Sequence, residues 1–417
     1  MNKHCAVIGA GIVGASCAWP LQRGGMQVTL IDPVAPGQSC SFGNAACIAT
    51  SGVVPASYPG VIRKVPGWML SPLGPVSIRI GDIAALAPWF WKFWRLSNWQ
   101  KLEEIATAQA SLMHQALGDF KEILEATDSV HLRRSPGAIF AYDTEADFLA
   151  GEWQIRLAEK LGFESQRLTS AELRSMLPQL KLENGVALLV PGWHHVTDPG
   201  KVTTRIADHC FSNGGQWLQD RVSNVSADAS GISVRTDSGK TIAADHLVVA
   251  AGAWSNTIAK QLDFKVPLVA ERGYHSQLKN PGIELAQPVM SMSRHFVMTP
   301  LDDGLRVAGT AEFAALDARP DFRRARVLLK QASRYLDGLQ AGEATEWMGQ
   351  RPAMVDSLPV ISASPGHPNV FYAFGHGHYG LTQGPTTGRI IAGMVLGKEP
   401  PIDLTAFRFD RFSNPRS

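Results

Sequence analysis

Gly9, Gly11 and Gly14 stand in the run Gly9-Ala10-Gly11-Ile12-Val13-Gly14, directly after an apolar stretch at residues 5–8 and directly before helix-compatible residues 15–23. That order of strand, tight turn and helix puts unpaired amide groups and the positive end of a helix where a diphosphate would lie. Gly9 permits the turn, Gly11 lets the backbone approach the phosphates, and Gly14 lets the helix pack closely on the strand. Gly24 and Gly25 end the helix, residues 26–31 form a second strand, and Asp32-Pro33 closes it with a carboxylate able to take ribose hydroxyls. A lone glycine turn with a surface aspartate does not account for this ordering, which predicts a bound dinucleotide. The fingerprint alone does not separate a flavin from a nicotinamide dinucleotide.

A second set of residues decides between them. Gly375-His376-Gly377-His378-Tyr379-Gly380-Leu381-Thr382 runs on through Gly384-Pro385 and Gly388-Arg389 into an apolar helical run at residues 390–396, with Pro385 near the helix start. A glycine-rich loop that feeds a helix N-terminus suits the negative charge collecting at the N1/C2=O edge of a reduced isoalloxazine ring, which points to FAD. Residues 217–225, 232–236 and 241–250 read as strands, the last ending in Ala250-Ala251-Gly252-Ala253-Trp254-Ser255. Such a small-residue turn lets a cofactor lie against the backbone, although a tight turn without ligand would look similar.

The elements that position these groups need more than one core. A chain of 417 residues with 45% hydrophobic and 18% charged residues predicts two lobes of an ordinary globular protein. A formal charge of +2 gives no field for a nucleic-acid partner. Cys5, Cys17, Cys40, Cys47 and Cys210 form no C-x-x-C pair, and His194-His195 has no acidic residue at ligand spacing, so neither a disulfide framework nor a metal site is expected. No run of about 18 apolar residues is present to span a membrane. The glycines that interrupt the N-terminal apolar stretch read as structure rather than a signal peptide, so a cytoplasmic location is expected.

The glycine turn, Asp32-Pro33, Ser41-Phe42-Gly43-Asn44-Ala45-Ala46, Ala251-Gly252-Ala253-Trp254, Arg351-Pro352 and the loop from Gly375 together resemble the D-amino acid oxidase family of flavoenzymes, in that family's order over essentially the whole chain. Within it the resemblance is strongest to bacterial D-amino acid dehydrogenases, including those acting on cyclic D-imino acids such as D-proline and cis-4-hydroxy-D-proline. It implies that Ser41, Asn44, Ala45, Ala46 and Ile48 line the pyrophosphate and flavin, that the backbone of Val222 meets the adenine, and that Gly375, His376, Gly377, His378, Tyr379, Gly380, Leu381 and Thr382 lie against the flavin ring. It implies Arg351 as the clamp on the substrate carboxylate, a role suited to a planar two-pronged guanidinium. Tyr274, His275, Arg294, His295 and His378 are the further substrate-side candidates. His376 or Tyr379 would hold a water that accepts the amine proton while hydride passes from Cα to flavin N5. Some members attach the flavin through a cysteine near the C-terminal domain; no Cys follows Cys210, so non-covalent FAD is expected. Two positions depart from the common pattern: Ala46 stands where relatives often have glycine, and His376, His378 and Tyr379 make an unusually polar loop.

The expected fold is α/β, with a Rossmann-type FAD-binding domain assembled from residues 1–62, 96–128, 198–264 and 346–412. A second, antiparallel-sheet (α+β) substrate domain takes residues 129–197 and 265–345, with strands at 130–142, 185–190, 272–278 and 296–309. Thr169 and Glu172 have capping-box spacing, and Asp198-Pro199 reads as an N-cap and first helical residue. Pro88-Trp89-Phe90-Trp91-Lys92-Phe93-Trp94-Arg95, preceded by Trp68 and followed by Trp99, has two readings. Either Pro88 starts a helix whose aromatics pack under the FAD domain, or the tryptophans dock the chain peripherally on the inner face of the cytoplasmic membrane, with electrons passing to a quinone rather than to oxygen. Two alternatives stay open for the substrate side: N-methylglycine or opine-like secondary amines, and a flavin subunit of a multi-subunit dehydrogenase.

Overall fold

The computed structural model describes residues 3–61, 67, 73–228 and 231–412. The first strand, His4–Ile8, lies inside a six-stranded sheet, flanked by Gln27–Asp32 and His246–Val249 in parallel register. Gln216–Gln219 extends one side; Val370–Phe374 and then the antiparallel Val360–Ala363 extend the other. Central parallel strands are covered on both faces, which is why they read as unbroken apolar runs. Cys5 and Val7 pack against the helices Ile12–Arg23 and Gly380–Val395, whereas Ala6 and Ile8 pack towards Val225, Ile232 and Val234 of a three-stranded antiparallel sheet.

A nine-stranded, mainly antiparallel sheet forms the second layer system. Its edge strand Ala344–Met354 pairs with Leu268–Leu278, followed by Gly304–Phe313 and Phe296–Leu301, and the sheet continues to Gln166–Leu168. The helix Arg323–Tyr335 covers one face through Leu328, Ala332 and Tyr335. The α/β fold with a Rossmann-type sheet and an antiparallel second sheet is thus present. Ala344–Met354, however, lies wholly in the antiparallel sheet, so residues 346–354 leave the segment expected for the cofactor domain. The capping box at Thr169 and Glu172 forms, and the Asp198 carboxylate accepts from the Lys201 N–H.

Several expected strands are divided. Residues 217–225 break at Asp220, whose N–H bonds the Asp32 carbonyl, and Val222–Asp228 then joins the three-stranded sheet. Residues 241–250 break at Asp245, whose N–H donates to the His4 carbonyl while its carboxylate takes the His4 N–H at 2.7 Å. Residues 130–142 become a 3-10 turn, Arg133–Arg134 and Ala138–Tyr142, separated at Gly137 with φ +81°. Residues 296–309 fold back on themselves as a hairpin. The C-terminal helix begins at Gly380, well before residue 390, and Pro385 lies inside it.

The helix Ile83–Leu96 contains Pro88 in its interior rather than at its start. Trp89 is buried, donates its indole N–H to the Pro267 carbonyl at 3.0 Å and packs with Phe90, Phe93 and Phe313. On the same helix Trp91 and Trp94 are 58% and 52% exposed, and Trp99 beyond it is 59% exposed. One helix therefore satisfies the core reading with Trp89, Phe90 and Phe93 and leaves Trp91 and Trp94 outside. Trp68 lies outside the described residues. Among the described residues no helix is long and apolar enough to cross a membrane.

Candidate active site

The glycine turn has the geometry its spacing predicts. Gly9 has φ +110°, and a Cβ there would sit 2.3 Å from the Ala250 carbonyl oxygen; one at Gly14 would sit 1.8 Å from the Gly9 carbonyl oxygen. Gly11 is different, since its Cβ would meet only Ser41 Oγ at 3.3 Å, which leaves that side of the turn open. The Ser41 hydroxyl accepts the Ile12 N–H at 2.8 Å. Asp32 accepts from the N–H groups of Ala10 and Val34 at 2.8 and 2.9 Å, and burial raises its pKa against those bonds and the charge of Arg221. Tyr379 leads into Gly380–Val395 without any side-chain cap, and Thr382 accepts the Ala49 N–H at 2.9 Å. An open glycine, a carboxylate at a strand end and two helix N-termini, neither capped by its own N-cap side chain, fit FAD in both charge and shape.

The loop expected to line the flavin is held from the antiparallel sheet. Four consecutive carbonyls are bonded there: Phe42 and Asn44 by Arg306 Nη1 at 3.0 and 2.8 Å, Gly43 by His275 Nδ1 at 2.8 Å, and Ala45 by the Thr299 hydroxyl at 2.9 Å. A trans peptide directs its N–H opposite to its carbonyl, so the amide side of this loop faces away from the sheet. Arg306 is buried, and desolvation lowers its pKa to about 10 despite Asp303 and Asp198, which still leaves it charged. Ala46, where relatives often have glycine, adopts φ +59°, a left-handed conformation secured by its N–H to Asn44 Oδ1 at 2.7 Å. Ile48 follows on the short strand Cys47–Ile48, paired with His194–Val196. Val222 begins its strand at a bulge, and Ala250, Ala251, Gly252 and Trp254 make the turn after His246–Val249. Pro33 follows Asp32, and its carbonyl accepts from Gln219 at 3.4 Å.

Arg351, expected as the carboxylate clamp, is held in a charge cluster around the buried Glu271. It lies on Ala344–Met354 opposite Glu271, and its Nη1 donates to Glu271 Oε1 at 2.7 Å with the Thr310 carbonyl 3.4 Å away. His378 Nε2 meets the same Glu271 oxygen at 2.7 Å. Glu271 is buried, which by itself would raise its pKa; His378 and the Arg351 guanidinium outweigh that and hold the carboxyl well below the usual range. Thr310 forms a bulge in Gly304–Phe313 and carries φ +51°, an unusual conformation for a β-branched residue that re-aims its carbonyl at Arg351. Beneath the guanidinium lies Gly273, where a Cβ would be 2.2 Å from Arg351 Nη2.

Strand alternation sorts the other candidates. Glu271, Gly273 and His275 share the face of Leu268–Leu278 that meets the cofactor loop; Tyr274 lies on the opposite face, its hydroxyl donating to Glu312 at 2.6 Å. Arg294 and His295 occupy the turn before Phe296–Leu301, three strands across from Arg351, where Arg294 bonds Asp143 and Gln331. The structure therefore gathers Arg351, His378 and His275 and places Tyr274, Arg294 and His295 elsewhere. His275 stacks on Trp347, and burial followed by Arg306 lowers its pKa to about 3, so it works as a neutral brace. His376 is fully enclosed, bonded to Thr387 at 2.8 Å and lowered to about 3 by burial. Tyr379 packs its ring on Gly52, and burial raises its hydroxyl to about 12. His195 is buried beside the loop and lowered to about 4 by burial and nearby cations, while His194 faces Arg133. Neither joins an acidic residue, and among the described residues no group of three or more His, Cys, Asp or Glu residues is placed to hold a metal.

Glu271, Arg306, Thr299 and Thr310 were not anticipated. Glu271 had a signal: a strand read from Leu268 rather than residue 272 would have put it four residues before His275 on the same face. Replacing Gly273 with alanine tests the clamp directly, because the methyl group must displace the guanidinium without removing its charge. The expected result is a fall in kcat/KM of about 100-fold, carried mainly by KM, with bound flavin retained. Unchanged KM would show that the position of Arg351 over Gly273 does not matter.

Residues 4–394 match the family described as FAD dependent oxidoreductase, DAO. A D-amino-acid oxidase of Bradyrhizobium diazoefficiens is 33% identical over 420 aligned positions, covering 99% of each chain. Among solved structures, glycine oxidase from Geobacillus kaustophilus superposes with a TM-score of 0.76 at 21% identity, covering 99% of this chain and 100% of that one. L-proline dehydrogenase from P. horikoshii gives 0.73 at 18% identity, covering 99% and 98%. At those identities the two structures establish the fold alone.

Proposed function

This chain belongs to the DAO family of FAD dependent oxidoreductases, and from that premise we propose that it oxidises a free D-amino acid, cyclic ones such as D-proline and cis-4-hydroxy-D-proline included, at the carbon bearing the amine. The observation that carries the reading is the Arg351 guanidinium, anchored by Glu271 on one nitrogen and seated over Gly273 with its remaining edge available to a carboxylate. FAD, when bound, supplies the two-electron acceptor for the hydride leaving Cα. Everything else is orientation: Arg351 fixes the substrate carboxylate, and Arg306, His275 and Thr299 fix the loop at residues 42–45. The flavin is held without a covalent link.

For the electron acceptor we favour a quinone at a membrane surface over oxygen. The Trp91 and Trp94 rings lie 4.9 Å apart, tilted by 39°, on the exposed side of Ile83–Leu96, with Lys92 and Arg95 in the same turns. Indoles beside cations suit the lipid headgroup region.

One experiment addresses both parts. The purified protein should be yellow and release FAD in acid. Under anaerobic conditions D-proline or another D-amino acid should bleach the flavin while the L-isomers do not, and a short-chain quinone should restore the colour faster than air. Bleaching by N-methylglycine or glycine alone would overturn the D-amino acid reading. Faster reoxidation by oxygen, with no binding to anionic vesicles, would overturn the acceptor reading.

A further inference from the structure

An amino acid reaches the site as an ammonium ion, yet Cα can release hydride only when the nitrogen lone pair is free to form the C=N bond. The proton needs an acceptor, and the buried side chains around Arg351 and the loop from Gly375 offer none. His376 spends Nε2 on Thr387, His275 spends Nδ1 on Gly43 and stacks on Trp347, and both are held neutral down to about pH 3. Tyr379 is packed against Gly52, Tyr274 faces the other side of the sheet, and the Cys40 thiol bonds the Gln350 carbonyl. His378 remains, with its side chain 56% exposed.

Its tautomer follows from its partner. Glu271 is an ionised carboxylate and only accepts, so His378 Nε2 carries a hydrogen and donates it to Oε1. In the neutral ring the Nδ1 lone pair is then left over. The same oxygen receives Arg351 Nη1, so the histidine and the guanidinium are neighbours fixed by one atom. The carboxylate and ammonium of an α-amino acid share one carbon and call for two adjacent recognition groups of this kind.

Resting on the amino acid reading above, we infer that His378 accepts the substrate's ammonium proton at Nδ1, and that Glu271 is the positioning residue that aligns this acceptor with the Arg351 clamp. The N–H bond of the substrate breaks, its electron pair stays on nitrogen, and the new Nδ1–H bond makes an imidazolium whose charge Glu271 balances. The exposed ring then passes the proton to water. The charged and titratable groups facing His378 are Glu271 from Leu268–Leu278, Arg351 from Ala344–Met354 with Cys40 behind it, and Tyr379 from its own loop.

The test compares anaerobic flavin reduction across pH in wild type, His378→Gln and Glu271→Gln, and measures propionate binding by its perturbation of the flavin spectrum. Propionate has the carboxylate and no amine. His378→Gln should reduce flavin about 100-fold more slowly at neutral pH. The deficit should close as pH rises towards the amine's own pKa, where free amine arrives already deprotonated, and propionate affinity should stay at the wild-type value. Glu271→Gln should weaken propionate about tenfold as well as slowing reduction. A His378→Gln profile parallel to wild type at every pH would overturn the inference, as would equal loss of propionate and amine binding. Should glycine or N-methylglycine prove to be the amine that bleaches wild type, the D-amino acid reading falls, and the same pH comparison with that amine still decides the role of His378.

Discussion

Arg351→Ala is expected to lower kcat/KM by about a thousandfold, because truncating one member of a buried, hydrogen-bonded charge pair typically costs about 2–5 kcal/mol and each 1.4 kcal/mol is about tenfold. Flavin should remain bound, since Arg351 touches the antiparallel sheet and not the glycine turn. Lysine should rescue poorly: an ammonium cannot reproduce a planar fork that serves Glu271 with one nitrogen and a ligand with the others. The variant also strands the Glu271 carboxylate in the interior with His378 as its one side-chain partner among the described residues, so a loss of stability of about a few kcal/mol is expected. The sign of its pH dependence is fixed. The folded pKa of Glu271 lies below its unfolded value, so the stabilisation that Arg351 provides is fully present above about pH 4.3 and fades as pH falls through the folded value. Thermal melts of the two proteins should therefore lie far apart at neutral pH and converge in acid. Wild-type kinetics in Arg351→Ala would assign the residue to interlobe structure instead.

The second large effect belongs to Gly14. A methyl group there would lie 1.8 Å from the Gly9 carbonyl oxygen and 2.9 Å from its carbon, both backbone atoms with no freedom to move aside. The helix Ile12–Arg23 must then lift from the turn, and the diphosphate site opens with it. Gly14→Ala should purify without colour and melt lower, by an amount matching overpacking of about 1–3 kcal/mol or more. Gly11→Ala is the matched control: its methyl meets only the Ser41 hydroxyl at 3.3 Å, so it should fold normally and lose flavin affinity without losing stability. Absorbance at the flavin band per mole of protein and a melting curve read both. A Gly14→Ala protein with full flavin content would show that the turn tolerates what its geometry forbids.

Local chemistry was legible in the sequence and register was not. The glycine turn, Asp32 and the loop from Gly375 declare themselves because their ligands are backbone groups within a few residues of one another. The capping box at Thr169 and the cap at Asp198 are readable for the same reason. Tyr274 and His275, by contrast, are adjacent letters with opposite fates, and which one faces the cofactor loop depends on pairing with Met348 and Trp347 far along the chain. Alternation alone would put Glu271 on the face of His275, but its role comes from that pairing, because an acidic residue in this strand gains meaning only from the arginine opposite. The bulge at Thr310 and the turn at Asp245 likewise come from partners in other strands. Ala46 shows the reverse case: alanine lacks the backbone freedom of glycine, yet the fold imposes the left-handed backbone anyway and pins it with Asn44.

The placement of His4–Ile8 has a kinetic consequence. Its neighbour Gln27–Asp32 is made almost at once, but its other neighbour, His246–Val249, is bonded across 241 residues at His4 and Asp245, and the next strand in the sheet is Val370–Phe374. The first part of the diphosphate site to leave the ribosome is therefore among the last to be finished. Contacts this distant along the chain make folding slow, and the intermediate waiting for them carries an apolar strand with an unpaired edge. The diphosphate site is thus completed only when distant segments have been made, and a chain arrested before residue 370 would present its nascent sheet to chaperones or to other chains.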